Sequence, residues 1–242
     1  MKALLVVFTD PVHGQEDAYN HWYPEEHLPD CLAIPGYVRA TRYRAFPGLD
    51  RTVEQEYLSL YELEVPNVEA LEKISAEHMR RIADGVMRAP PPDTISNVTM
   101  RALYYTAPRS RYGRFDAVPE GVFVVLTDPT SASAEREFND WYDDTHLPEV
   151  CSVTPFVGAT RYRPTAVNML NRPWVTDRKH LAVYELAAPQ KSAFEAGIAG
   201  LGGTIPLTGK TMDMSPTLNR ETVGRWAGYR VSPRKYAAQT LR

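Results

Sequence analysis

The sequence contains a long internal repeat. A segment that begins LLVVFTDP and ends ATRYR (residues 4–44) is matched, almost without gaps, by one that begins VFVVLTDP and also ends ATRYR (residues 122–163). The separation between matched residues grows along the chain, as loop insertions between common elements would produce. Solenoid repeats have far shorter periods, of roughly 20–50 residues. We therefore predict two similar halves that together form a pseudo-dimer.

Each copy shows the same order of elements: strand, helix, strand, strand, helix, strand. Apolar runs ended by Asp-Pro predict the first strands, and alternating small and polar residues predict the second ones. A βαββαβ unit forms an antiparallel sheet with both helices on one face. The predicted fold class is therefore α+β, with two ferredoxin-like repeats fused in one chain and their sheets packed together.

The predicted division of the chain has three parts. Residues 1–107 form the first repeat, residues 108–120 form a linker, and residues 121–242 form the second repeat with a C-terminal tail. A second helix is predicted in the first copy over residues 67–87, from apolar residues at helical spacing. Its buried stripe is predicted to contain Val68, Leu71, Ile74, Met79 and Ile82.

Composition and charge narrow the classes of partner. The chain has 27 Lys and Arg against 30 Asp and Glu, a net charge of −3, so no basic field predicts nucleic-acid binding. The N-terminal apolar run, Ala3 to Phe8, is too short for a membrane span or a signal peptide, which predicts a cytoplasmic protein without a membrane partner. The two cysteines, Cys31 and Cys151, cannot make a disulfide framework and are expected to stay reduced.

Both copies carry Trp-Tyr-x-x-x-His-Leu-Pro, with His27 and His146 as the histidines. The proline is expected to end the first helix, which places each imidazole at a helix C-terminus on rigid backbone. An imidazole beside aromatic walls suits general acid-base catalysis on an apolar or aromatic substrate. The alternative is a capping histidine that only bonds a backbone carbonyl. The aromatic residues predicted to bind the substrate are Trp22, Tyr23, Trp141 and Tyr142.

Matched Ala-Thr-Arg-Tyr-Arg strands place Arg42 and Arg161 among apolar neighbours. Such an arginine can bind a substrate carboxylate or enolate, or it can pair with Glu62 or Glu185 across the sheet. The tyrosines of the third strands can donate to a developing oxyanion or can fill the core. Both interpretations stay open for each pair. The candidate substrate-binding residues of this kind are Arg42, Arg161, Tyr61 and Tyr184.

Motifs for cofactors and metals are missing from the sequence. No Gly-x-Gly-x-x-Gly follows a strand and no P-loop occurs. His21 and His27 lie six residues apart on a predicted helix and point about 120° away from each other, so they cannot easily share an ion. We therefore predict no metal and no cofactor. The predicted partner is a hydrophobic small molecule, and the chain is expected to be a monomer with an internal pseudo-dimer or a homodimer.

The pattern Phe-x-x-Trp-Tyr-x-x-x-His-Leu-Pro, followed by an Ala-Thr-Arg-Tyr strand, resembles the EthD-like branch of the dimeric α+β barrel superfamily. It is clearest at residues 137–163 and nearly as clear at 18–44. Most relatives are single-repeat chains that dimerise, so the resemblance implies a tandem form that builds an internal dimeric α+β barrel. It also implies that His27 and His146 occupy the acid-base position. The second helix is shorter in the second copy, which predicts that one pocket is altered.

Three functions are consistent with these features. The leading hypothesis is a cofactor-independent lyase or isomerase (dehydratase, cyclase or decarboxylase type) that acts on an aromatic or polyketide-like molecule, as the resemblance implies. The second is a monooxygenase, either cofactor-free or haem-dependent, in which His78 or His180 would be the axial ligand. The third is a small-molecule-binding protein without catalysis. The superfamily includes cofactor-free cyclases, decarboxylases, isomerases and quinone-forming monooxygenases, and also haem-dependent members.

Overall fold

The computed structural model describes residues 1–96, 100–167 and 180–238, without the side chains of residues 107 and 108. Its strands are β1 (Lys2–Thr9), β2 (Tyr37–Ala45), β3 (Tyr57–Glu64), β4 (Arg101–Gly113), β5 (Gly121–Thr127), β6 (Phe156–Pro164), β7 (His180–Leu186), β8 (Gly224–Arg230) and β9 (Lys235–Tyr236). Its α-helices are α1 (Glu16–Trp22), α2 (Leu28–Leu32), α3 (Glu69–Ala83), α4 (Glu135–Trp141), α5 (Leu147–Cys151) and α6 (Lys191–Leu201). Short 3₁₀ turns occupy Ala132–Ala134 and Arg220–Thr222.

Eight of the strands close into an antiparallel barrel. The first half forms the sheet β2-β3-β1-β4, and the second half forms the sheet β6-β7-β5-β8. Pairing of β4 with β6 and of β8 with β2 joins the two sheets into one ring. The short strand β9 adds to β2. The predicted α+β class with an internal barrel is thus confirmed.

Three buried clusters explain why the strands are apolar on both faces. In β1, Leu4, Val6 and Phe8 point into the barrel, where they meet residues of both halves such as Val124 and Trp226. The alternate residues of β1 point outward to the helices of the first half, and a separate cluster lies under the helices of the second half. Because side chains alternate along a strand, one strand serves both cores. Neither sheet could bury its inner face alone, which is the physical reason for pairing two copies.

A π-helical turn joins the first two helices of each half. It covers Tyr23–His27 in the first half and Tyr142–His146 in the second. The prediction that Pro29 ends the first helix is therefore wrong: the chain continues helically to Leu32. The N–H of Leu28 bonds the carbonyl of Tyr23, five residues back, and the helix continues through Pro29, which has no N–H to donate.

The predicted division into repeats stays a prediction. Strand β4 extends across residue 107 to Gly113, and β5 begins at Gly121. Along the described ranges, no helix is both long enough and apolar enough to cross a bilayer.

Candidate functional site

A cavity of about 390 Å³ lies in the first half, between the outer face of its sheet and the helices. Its wall is largely apolar. Four of the predicted site residues take part in it, namely Trp22, Tyr23, His27 and Tyr61. The helix α3 and the loop that follows it supply the opposite wall. Residues of that wall include His78, Met79, Ile82, Met87, Ala89 and Pro90.

His27 projects from the π-helical turn into this cavity and is half-buried. Its ring stacks on Trp22 at a centroid distance of 4.7 Å and meets the Tyr23 ring edge-on at 4.8 Å. Burial lowers the pKa of His27 to about 3, and the nearby His78 and Arg42 lower it further against an opposing effect of Asp30. The imidazole is therefore neutral near pH 7, with a nitrogen able to accept a proton.

Arg42 lies behind Tyr23, which lines the cavity, and only 2% of the surface of Arg42 is exposed. Its guanidinium sits 4.3 Å from the Tyr57 ring centroid and 4.8 Å from that of Tyr23. It donates a 2.9 Å hydrogen bond to the amide oxygen of Asn20. Within the described ranges, no carboxylate forms an ion pair with it. The buried guanidinium of Arg42 is therefore separated from the cavity by the ring of Tyr23, and no described carboxylate pairs with it.

The alternative that Arg42 pairs with Glu62 is wrong. Glu62 instead accepts two hydrogen bonds from Arg39, at 2.5 and 2.7 Å. The two arginines lie three residues apart on β2, so their side chains leave opposite faces of the strand. Arg39 reaches the carboxylate, and Arg42 enters the core beneath the helices.

The matching arginine of the second half is neutralised. Arg161, fully buried, bonds both Asn139 and the carboxylate of Asp143. Arg109 forms an ion pair with the same carboxylate at 2.8 Å, and Ser110 donates to it at 2.6 Å. The first copy has Pro24 where the second has Asp143. The two halves therefore differ in whether the buried arginine behind the histidine has a carboxylate partner.

Aromatic side chains occupy the second half where the first half is open. Leu5, which lines the cavity, corresponds to Phe123. The Phe123 ring packs 5.2 Å from Phe194 of α6 and 5.8 Å from Tyr184. His146 stacks on Trp141 at 4.7 Å as its counterpart does, but its ring lies 6.4 Å from Tyr184, in this packed cluster. Trp141 itself lines a more open groove of about 710 Å³, whose lining does not include His146.

Each half contains a buried pair of tyrosines. The hydroxyl of Tyr61 donates to Tyr23 at 3.0 Å, and that of Tyr184 donates to Tyr142 at 3.1 Å. Burial raises the pKa of all four phenols, so they remain protonated near neutral pH. Only the pair in the first half lines the cavity of 390 Å³. In the second half, the pair belongs to the hydrophobic core.

Two residues lie beside His27 whose proximity to it was not predicted from the sequence, although His78 was named as a candidate haem ligand and Cys31 as a reduced thiol. The thiol of Cys31 lies 3.5 Å from His27 Nε2, and His78 of α3 places its ring 5.9 Å from that of His27. His27 and Cys31 are four residues apart in the sequence, and residues at this spacing share a helix face. Their proximity could therefore have been predicted. His78 joins them only through the packing of α3 on the sheet. His21, which was predicted to point away from His27, is exposed and does not line the cavity.

Buried neutral histidines predict acid sensitivity. His180 is 3% exposed, and burial together with nearby arginines lowers its pKa to about 4, against an opposing effect of Asp143. In the unfolded chain, His180 takes up a proton near pH 6.5. Its contribution to the free energy of unfolding is therefore complete above that pH and is lost as the pH falls towards 4. We expect His180 to contribute about 3 kcal/mol to this loss. The arginines concerned are Arg161, Arg109 and Arg163, and Glu135 lies 3.6 Å from its Nε2.

Urea unfolding at a series of pH values measures this effect. Burial also lowers the pKa of His146 to about 3, so this histidine contributes to the same loss of stability at low pH. We expect H180N to flatten the loss of unfolding free energy between about pH 7 and pH 4. The control is H13N, since the His13 side chain is fully exposed and its replacement should leave the slope unchanged. An H180N profile parallel to that of the original protein would contradict the assignment.

Comparison with known proteins bears on the fold. No protein-family model and no curated protein matches the chain. Among solved structures, an anthrone oxidase-like protein is 14% identical over 99% of this chain and 94% of its own, with a TM-score of 0.58. A candidate monooxygenase from Lactobacillus acidophilus NCFM is 9% identical over 95% and 93%, with a TM-score of 0.56. Another, from Fusobacterium nucleatum subsp. nucleatum, is 7% identical over 97% and 94%, with a TM-score of 0.55.

At these identities, the likeness establishes the fold and nothing more. The closed antiparallel ring, covered on its outside by helices from both halves, is the dimeric α+β barrel fold. The neighbours share this fold over almost their whole length. The chain therefore has an α+β barrel fold, and an apolar cavity lies at the histidine of its first half.

Proposed function

We propose that the first half is an enzyme site in which His27 accepts a proton from a hydrophobic, aromatic or polyketide-like small molecule. A cofactor-independent lyase or isomerase is the leading assignment. The observation that carries it is a neutral imidazole opening onto an apolar cavity of about 390 Å³, with the unpaired charge of Arg42 behind the wall. This volume lies within the range of ligand pockets, about 300–1,000 Å³.

The geometry supports a simple proton-transfer step. A C–H or O–H bond next to a carbonyl or phenol breaks, the proton moves to a His27 nitrogen, and the electron pair delocalises into the substrate. The negative charge that develops is stabilised by Arg42 across a low-dielectric wall and by the phenols of Tyr23 and Tyr61. The imidazolium then returns the proton to a different atom (isomerase) or to a leaving hydroxyl (dehydratase). Trp22 supplies a flat apolar surface for the substrate ring.

A cofactor-free monooxygenase is the second candidate, and the names of the structural neighbours favour it. It shares the first step, since a carbanion formed at His27 can give its electrons to O₂. For anthrone as substrate, the balanced reaction is anthrone plus O₂ giving anthraquinone plus water. The two candidates differ only in where the electrons of the carbanion go.

The residues fit a haem poorly. A histidine that held haem iron would need its ring nitrogen free of other donor groups. The donor atoms of His27, Cys31 and His78 instead converge within 4.8 Å of one another at one wall of the cavity. His180 packs 5.2 Å from the Phe138 ring and does not line the cavity.

Anthrone is a suitable probe because its acidic C–H is flanked by two aromatic rings. Under anaerobic conditions in D₂O, NMR measures exchange of that proton, and an oxygen electrode in air measures O₂ uptake. Exchange without uptake supports the lyase or isomerase, whereas exchange with uptake equal to anthrone loss supports the monooxygenase. Binding of anthrone with neither reaction would indicate the third candidate, a binding protein without catalysis.

Closing the cavity should abolish the reaction without unfolding the protein. We expect L5F, which gives the first half the residue of the second, to lower the exchange rate at least about tenfold, because an extra ring fills space that the substrate needs. The matched control is the reverse change in the second half, F123L, which should keep the exchange rate and lose about 1–3 kcal/mol of stability. Equal rates for L5F and the original protein would contradict the proposed location.

The second half is assigned a structural role. His146, Arg161, Trp141, Tyr142 and Tyr184 would hold the barrel and its helices in place, since Arg161 pairs with Asp143, the two tyrosines bond each other and His146 stacks on Trp141. The proposal also keeps the EthD-like origin and the tandem form, with repeats at residues 1–107 and 121–242. A chain of this form folds as a monomer or homodimer, and mass measurement in solution distinguishes the two.

A further inference from the structure

Three metal-ligating side chains converge beside the cavity from three different helical segments. His27 comes from the π-helical turn, Cys31 from α2 and His78 from α3. One ligand atom from each lies within 4.8 Å of the others. The shortest of these separations, from Cys31 Sγ to His27 Nε2, is 3.5 Å.

These separations suit a tetrahedral ion. Zinc-sulfur bonds of about 2.3 Å and zinc-nitrogen bonds of about 2.0 Å at the tetrahedral angle put sulfur and nitrogen about 3.5 Å apart, and two nitrogens about 3.3 Å apart. The observed 3.5 Å between Cys31 and His27 already matches the first of these values. Bringing His78 to the second requires at most about 1.5 Å of side-chain adjustment from the 4.8 Å limit.

A second observation points to a ligand at the same place. His78 is 4% exposed, and in the described part of the chain its Nδ1 has no hydrogen-bond partner. Buried polar atoms are normally paired, so each exception calls for an explanation. His78 also lines the cavity together with His27. A cation held by the three residues would satisfy this histidine and keep one position open to the cavity.

The donor set is specific to the first half. In the second copy, Val150 stands where the first has Cys31, and α6 contains no histidine. His146 keeps the same stacking on its tryptophan without any of these partners. The trio is therefore not a by-product of the repeated helix geometry, and it coincides with the half that holds the cavity.

We propose that His27, Cys31 and His78 bind one divalent ion, with Zn²⁺ as the best match. Thiolate and imidazole ligands select zinc and similar borderline ions over Mg²⁺ and Ca²⁺. Binding converts the Cys31 thiol to a thiolate and releases its proton to solvent, so affinity rises with pH. The ion occupies a nitrogen of His27 and thereby takes this histidine out of proton transfer. Zinc thus acts as an inhibitor of the proposed reaction, and its site exists whether or not that reaction occurs.

Cobalt titration of the full chain, reduced and freed of metal with a chelator, tests the site without any substrate. We expect the chain to bind one Co²⁺ and to show the visible bands of tetrahedral cobalt and a sulfur-to-cobalt charge-transfer band in the near ultraviolet. Zn²⁺ should displace the cobalt, and both kinds of band should then disappear. C31S should abolish the charge-transfer band and weaken Zn²⁺ binding at least about 100-fold, since even outer-shell changes cost about 10–100-fold. C151S is the matched control and should bind as the original chain does.

H78N provides an independent variant should C31S fail to fold. It should keep the charge-transfer band at high cobalt concentration and weaken binding by a similar factor, with folding verified by circular dichroism. Absence of the charge-transfer band in the original chain, or its persistence in C31S, would overturn the metal site. The anthrone assay is run with chelator present, so failure of the metal site leaves the proposed function standing, and failure of the anthrone assay leaves the metal site standing.

Discussion

Replacing His27 by alanine is expected to lower the rate of anthrone proton exchange by about 10²–10⁴-fold, the range typical of a lost general base. The low pKa of His27 reflects burial in the cavity without substrate, which the opposing effect of Asp30 does not overcome. A carbanion formed beside the imidazolium supplies the missing counter-charge and makes proton transfer less costly. NMR exchange rates under anaerobic conditions, with chelator present, measure the effect directly.

The second histidine of the repeat is the control for this variant. H146A removes the same side chain from the same π-helical turn, but within a packed aromatic cluster. We expect its exchange rate to stay within about twofold of the original, with the loss appearing in stability instead. Equal losses of rate in H27A and H146A would refute the assignment of catalysis to the first half. An unchanged rate in a folded H27A would remove the enzyme proposal altogether.

The barrel was predictable because its signals are local and repeated. Apolar runs before Asp-Pro and the alternation in the Ala-Thr-Arg-Tyr strands give the strand order, and the duplication supplies a partner for each exposed sheet face. The helix end at Pro29 was not predictable in this way. Proline excludes an ordinary helical hydrogen bond, but a π-helical turn directly before it lets the helix continue.

The cavity explains another difference between sequence and structure. The apolar stripe predicts Met79 and Ile82 in the core, yet both are exposed and line the cavity wall. His78, absent from the predicted stripe, is buried instead. Periodicity identifies which face of a helix turns inward, but it cannot tell packed space from a cavity. Periodicity also does not predict that His78 lies beside Cys31, because residues on separate helices come together only through tertiary packing.

Charge compensation is the other feature that separates the halves. Duplicated sequences begin with equivalent sites, and here one copy gained or kept an acidic partner for its buried arginine while the other has Pro24 at that position. In the second half, the acidic residue pairs with both Arg161 and Arg109. In the first half, no carboxylate of the described residues forms an ion pair with Arg42. Stability and binding are thus expected to divide between the two copies.

Replacing Asp143 by asparagine is therefore expected to destabilise the protein by about 3 kcal/mol, because removing one partner of a buried ion pair leaves an uncompensated charge. The carboxylate contacts fully buried Arg161, an Arg109 that is 20% exposed, and Ser110. Asparagine keeps the shape and one acceptor oxygen, so the loss measures charge more than packing. Urea unfolding near neutral pH gives the free energy.

The neighbouring residue provides a matched control, because Asp144 is exposed and makes no ion pair among the described residues. D144N should change stability by no more than about 0.5 kcal/mol, as ordinary surface substitutions do. Anthrone exchange should survive in D143N wherever the protein is folded, since the first half keeps its own cavity. A stability loss in D143N no larger than in D144N would show that Arg161 tolerates burial without its carboxylate, and the charge difference between the halves would then carry no functional meaning.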